Sequence, residues 1–133
     1  LGPPSRKSVF EDQIDVDRLP ADEIDEFTKA YVRGAELSGA YLSGTDLFAA
    51  NLVAADLRGA DLGEANLGNA DLRKADLTGA NLFDADLSDA DLRGADLRGA
   101  NLKEADLSAA VYDEYTLWPE AFDPESAGAV RLV

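Results

Sequence analysis

The chain has 133 residues, with 12 Lys plus Arg against 27 Asp plus Glu, a net charge of −15, and no His, Cys or Met. Disulfides, thiolate nucleophiles and thiolate zinc sites are thereby excluded, and histidine, the commonest general base and transition-metal ligand, is missing. A charge of this sign and size argues against nucleic acid or an anionic membrane as a direct partner, and no apolar run approaches the ~18 residues of a membrane-spanning helix.

In chain order, residues 1–8, opening Leu1-Gly2-Pro3-Pro4-Ser5, read as a flexible tail or an appended remnant, with no secretory leader pattern. Residues 9–29 read as a helical N-terminal cap. Leu19-Pro20-Ala21-Asp22-Glu23 places Pro and acids where a first helical turn takes them. Ile24, Phe27 and Tyr31 then follow at helical spacing, a stripe able to cover whatever stands next.

From residue 30 to 109 the sequence repeats every five residues, in 16 units. Leu recurs at 37, 42, 47 and every fifth position through Leu107, with Val32 opening the series. Ala stands two residues before each, broken only by Thr45, and Asp or Asn usually lies between. On an α-helix, residues five apart are rotated by about 140° after removing a full turn, so the leucines would smear round the cylinder and form no face. On a strand, Ala and Leu two apart share a face, but an odd period sends the next pair to the opposite side. Only a chain that turns a corner within each unit keeps every pair inside. Gly39, Gly59, Gly79 and Gly99 recur every 20 residues and favour four sides per coil, while Asn51, Asn66 and Asn81 recur every 15 and favour three. Periodicity alone leaves that choice open.

The A(D/N)LXX units, such as Ala55-Asp56-Leu57 and Ala80-Asn81-Leu82, resemble the pentapeptide-repeat family over about three-fifths of the chain. The resemblance implies an all-β solenoid: a right-handed quadrilateral β-helix of about four coils, with Leu and Ala inside. Four coils stacked at the ~4.8 Å strand spacing span roughly 20 Å. Val32 and Thr45 are conservative departures, while Tyr31, Glu36 and Tyr41 weaken the motif in the first coil. Residues 110–133 read as a C-terminal cap, in which Tyr112, Tyr115, Trp118 and Phe122 form an aromatic lid over the last coil. Asp123-Pro124-Glu125 reads as the start of a short final helix. The run from Tyr112 to Pro124 is similar to the closing segment of cyanobacterial members of the family.

Enzyme signals are absent: the sequence has no Ser–His pair, no phosphate-binding loop and no metalloprotease motif. The expectation is a protein that is not an enzyme, without cofactor and without a specific metal site. The outward Asp columns offer oxygen ligands for calcium, but the chain has no calcium-loop motif.

With four sides, residues before and after each Leu point outward and the second residue after it lies at a corner. Two adjacent sides then balance, setting Arg33, Arg58, Arg73, Lys74, Arg93 and Arg98 against Glu36, Asp56, Asp71, Asp76, Asp91 and Asp96. The other two carry Asp46, Asp61, Glu64, Asp84, Asp86, Asp89, Glu104 and Asp106 against Lys103 alone, a net of −7, and expose Tyr41, Phe48 and Phe83. These eleven residues are the candidate interaction face, for a protein partner with a basic surface. The competing explanation is that the acids simply keep a regular stack soluble and monomeric.

The function expected is a non-catalytic interaction or scaffold module. The alternative is a DNA-mimic inhibitor of a type II topoisomerase such as gyrase, an activity known in the family. No direct nucleic-acid contact and no membrane insertion are expected, and a monomer is favoured over a dimer. The cytoplasm is the default compartment, with periplasm and thylakoid lumen open.

Overall fold

Each pentapeptide brings five backbone N–H groups that must find acceptors, and where they find them defines the fold. The computed structural model describes residues 34–133. The tail expected over 1–8, the helical cap over 9–29, and residues 30–33 lie outside the described residues.

Parallel bridges join residues 20 apart, from Glu36–Asp56 and Tyr41–Asp61 up to Asp86–Asp106. Twenty residues are four pentapeptides, so four units complete one circuit. The recurrence of Asn51, Asn66 and Asn81 is not a coil repeat, because these residues fall on three different sides. The sides are numbered here by their leucines: side 1 (Leu37, Leu57, Leu77, Leu97), side 2 (Leu42, Leu62, Leu82, Leu102), side 3 (Leu47, Leu67, Leu87, Leu107) and side 4 (Leu52, Leu72, Leu92).

The unit Ala65-Asn66-Leu67-Gly68-Asn69 shows how the five donors are used. Asn66 N–H bonds back one coil to the Thr45 carbonyl (2.9 Å), and Leu67 N–H bonds forward to the Asp86 carbonyl (2.7 Å). Asn69 N–H also bonds forward, to Ser88 (2.9 Å), and Ala65 N–H closes the preceding turn on Leu62 (3.0 Å). The remaining donor, Gly68 N–H, meets the Asn66 side chain at 3.0 Å. Asp or Asn before Leu is therefore a backbone acceptor, a local side-chain turn repeated along the solenoid.

Every fifth residue from Gly34 to Ala109 has φ between 57° and 73°, the left-handed region that a type II turn requires at its third residue. These are the corners. Nine of the sixteen are not glycine, and for such residues that conformation costs roughly 1–2 kcal/mol.

Inside, the leucines from Leu37 to Leu107 are all buried, as is the Ala column, every fifth residue from Ala50 to Ala100. Each fully buried Leu is worth about 1.5–3 kcal/mol. Thr45 is less conservative than its size suggests: it is only 8 % exposed, and its Oγ1 has no hydrogen-bond partner.

Beyond the repeat, the ladder continues with a slip. Asp96 bridges Leu117, 21 residues on, so Leu117 takes an outward position and Trp118 turns toward the axis. Trp118 meets Tyr112 edge-to-face at 5.3 Å and stacks on Phe122 at 5.2 Å. Thr116 is buried and its hydroxyl donates to the Leu92 carbonyl at 2.8 Å. Tyr115, expected in this aromatic group, is 69 % exposed instead. The short helix expected from Asp123-Pro124-Glu125 is a hydrogen-bonded turn. It ends because Gly128 swings to φ 96° and the chain enters a strand that the sequence did not reveal. In that strand, β2 (Val130–Arg131) pairs in parallel with β1 (Val111–Tyr112), extending side 4.

Candidate functional site

The eleven candidate residues fall on sides 2 and 3 and the corners that follow them. Tyr41 and Asp61 lie in one outward column of side 2, bridged to each other, and Phe83 stands in the other outward column. Asp46, Asp86 and Asp106 share a column of side 3 with Asn66 between the first two, and Phe48 stands beside them. Glu64, Asp84, Glu104 and Asp89 occupy corners, all at positive φ.

The acids divide into two chemical groups. Asp46, Asp61, Asp86 and Asp106 each accept a backbone N–H from two residues on, at 2.9–3.1 Å. Asp86 and Asp106 also accept the Ser88 and Ser108 hydroxyls, each at 2.6 Å. At Asp106 the Ser108 hydroxyl and backbone N–H favour the ionised form and hold the carboxyl below its ordinary range. By contrast, Glu64, Asp84, Asp89 and Glu104 make no side-chain hydrogen bond or ion pair among the described residues. The first group serves the backbone; the second is chemically free. Sequence reasoning grouped all eight together. The signal it could have used is the interchange of Asp with Asn before Leu, since the two share only the acceptor oxygen and not the charge.

Asn residues also separate the charges. Asn66 Nδ2 donates to Asp46 at 3.3 Å and Asn81 Nδ2 donates to Asp61 at 3.1 Å, each across one coil.

On sides 1 and 4 the acids have cationic partners. Arg58, Arg73, Arg93 and Arg98 each fork onto the Asp two residues earlier, at 2.6–2.7 Å. Arg58 and Arg73 also reach the next coil, to Asp76 at 4.0 Å and Asp91 at 3.9 Å. The hydrogen-bonded guanidinium beside each lowers the Asp56, Asp71 and Asp96 carboxyls below the ordinary range. Every ion pair among the described residues lies on these two sides.

Tyr41 and Phe48 are each 44 % exposed and Phe83 is 39 % exposed. Among the described residues no group of three or more Asp, Glu, His or Cys converges as a metal site. A recess of about 460 Å³ near the C-terminal end is lined by Arg93, Asp113, Tyr115, Arg131 and their neighbours, and includes none of the candidate residues.

The fold and its surface define a repeat solenoid with one charge-neutralised half and one acidic half. The profile of the pentapeptide repeat family matches with 8 copies over residues 26–63, 50–89 and 80–111, and the chain belongs to that family. No curated protein matches the chain. Among solved structures, it is similar to a pentapeptide repeat protein from Nostoc Pcc 7120, with 37 % identity, 84 % of this chain and 95 % of that one covered, and TM-score 0.43. A pentapeptide repeat protein of the Arabidopsis thaliana thylakoid lumen shows 36 % identity, covering 68 % of this chain and 63 % of that one, with TM-score 0.43. A third, from Nostoc sp. strain PCC 7120 and involved in heterocyst differentiation regulation, shows 26 % identity, covering 74 % and 54 %, with TM-score 0.36.

Proposed function

We propose that this chain is a non-catalytic protein-interaction module whose sides 2 and 3 dock a partner with a basic surface. In this reading residues 30–109 form a right-handed quadrilateral β-helix of about four coils. Residues 9–29 cap one end as a helix, and the aromatic segment 110–133 caps the other. The observation that carries the reading is the partition of ion pairs. Arginine forks neutralise the acids of sides 1 and 4, whereas eight acids on sides 2 and 3 face a single Lys103. An unneutralised acidic surface that also exposes aromatic rings fits the composition of a recognition face, in which aromatics anchor and charge steers. Solubility alone accounts for acids anywhere on the rod and gives no reason for their segregation.

The test is affinity capture on the immobilised chain, comparing Asp84→Asn, Asp86→Asn and Asp89→Asn combined with an Arg58→Gln, Arg98→Gln control. Loss of the captured partner in the acid variant and retention in the arginine control support the reading. Unchanged capture with unchanged salt dependence removes it. A DNA mimic needs carboxylates laid out like duplex phosphates, and the neutralised half of this rod counts against that layout. A gyrase supercoiling assay with the same proteins separates the two, since only the mimic inhibits.

A further inference from the structure

Gly63 and Gly68 differ from the other described glycines in having no positive φ, so no turn demands glycine at either position. Both stand directly after a Leu, in the outward place that elsewhere bears a side chain. At Gly68 the reason is a contact. A Cβ there would lie 3.2 Å from Cδ1 and 3.3 Å from Cε1 of Phe48, and 3.1 Å from Asn66 Oδ1. Phe48 belongs to the preceding coil, so its ring leans along side 3 and rests on the bare backbone of the next coil. The sequence omits a side chain at 68 and the ring takes its space.

Seated this way, Phe48 still leaves 44 % of its surface to solvent. The side on which it stands is rich in acids. Asp46, in its own unit, accepts the Phe48 N–H at 3.1 Å. Asp86 lies one coil beyond Asn66, and Asp89 follows at the next corner with its carboxylate unengaged among the described residues. A positioned aromatic face on an acidic side suits a planar cation that stacks on the ring while its N–H groups fork to an acid. Arginine does both, whereas the lysine ammonium is a compact point charge.

We infer that Phe48, seated on Gly68 on the side that also carries Asp46, Asp86 and Asp89, is the receiving platform for an arginine side chain of the partner. This rests on the docking reading above and narrows it from a basic surface to a guanidinium.

The probes are hexa-arginine and hexa-lysine peptides, titrated calorimetrically into the full chain at fixed ionic strength. Hexa-arginine should bind at least about threefold more tightly, the scale of an exposed cation–π contact. Phe48→Ala should abolish that margin while leaving the hexa-lysine affinity unchanged. Gly68→Val, which keeps the ring but displaces it, should shrink the margin too. Asp86→Asn with Asp89→Asn should weaken both peptides. Equal affinities in the wild type, or a margin that survives Phe48→Ala, overturn the platform and leave the docking reading standing. Absence of binding by either peptide removes both.

Discussion

Replacing Asp86 separates the structural work of the repeated aspartates from their charge. Its Oδ1 accepts the Ser88 N–H at 2.9 Å and the Ser88 hydroxyl at 2.6 Å. Asp86→Ala leaves that N–H without its partner at a half-buried place. An unmade buried hydrogen bond costs about 1–3 kcal/mol, and partial access of water brings this to roughly 1–2 kcal/mol. Asp86→Asn keeps the acceptor, as Asn66 already does for Gly68 N–H. It also removes a like charge beside Asp106, its bridge partner, so its stability should match or slightly exceed the wild type, within about 0.5 kcal/mol. Asp84→Ala, at a corner with no partner among the described residues, should also stay within about 0.5 kcal/mol. Urea midpoints followed by far-ultraviolet circular dichroism rank the three, using midpoints because stacked repeats depart from two-state unfolding. The reasoning fails if Asp86→Ala is as stable as Asp86→Asn, or if Asp84→Ala is as damaging as Asp86→Ala.

Thr45→Ala should stabilise, since it deletes a buried hydroxyl with no partner. That relief of about 1–3 kcal/mol is offset by roughly 0.8 kcal/mol of lost methyl burial, for a net gain near 1 kcal/mol read as a raised thermal midpoint. Leu72→Ala, at a fully buried position, should cost about 3–5 kcal/mol from lost transfer energy and the cavity left behind, measured by the same denaturation. Acid should unfold the chain. Arg58, Arg73 and Arg98 lower the carboxyls of Asp56, Asp71 and Asp96, so the unfolded chain binds more protons and stability rises with pH through their range. That contribution is complete above the unfolded aspartate value near 4 and disappears as pH falls through the lower folded values. A thermal-midpoint profile from pH 7 to pH 2 should therefore fall mainly below about pH 4.

Much of this fold was legible because one constraint repeats. A period of five defeats both helix and flat strand, and of the columns it implied, Leu is buried from Leu37 to Leu107 and Ala from Ala50 to Ala100. The corner residues were legible for the same reason, with Gly39, Gly59, Gly79 and Gly99 marking positions of positive φ. What was hidden is non-local or breaks the rhythm. The one-residue slip that puts Leu117 opposite Asp96 turns Trp118 inward, and nothing in the run from Tyr112 to Phe122 marks where it falls. The parallel pairing of Val130 with Val111 depends on a turn at Gly128 and on a free ladder edge that local sequence does not display. The charge map of sides 2 and 3 was legible once four sides were assumed. The capping of backbone N–H groups by half of its acids was not, because that is a contact and not a pattern.

The distinction between those acids bears on which part of the surface carries information. Asp or Asn before Leu is dictated by an N–H that needs an acceptor, so an acid in those columns has a structural duty beside any role at the surface. The corners are under no such demand. After side 1 all four are glycine, which accepts the left-handed conformation freely. After side 2 three of the four are Glu64, Asp84 and Glu104, held in that same conformation at a cost of roughly 1–2 kcal/mol each. The fold gains nothing from a carboxylate there, since these side chains make no hydrogen bond or ion pair among the described residues. In the docking reading proposed above, these three corner acids, beside the face where Phe48 and Phe83 are exposed, are the ones left available to a partner.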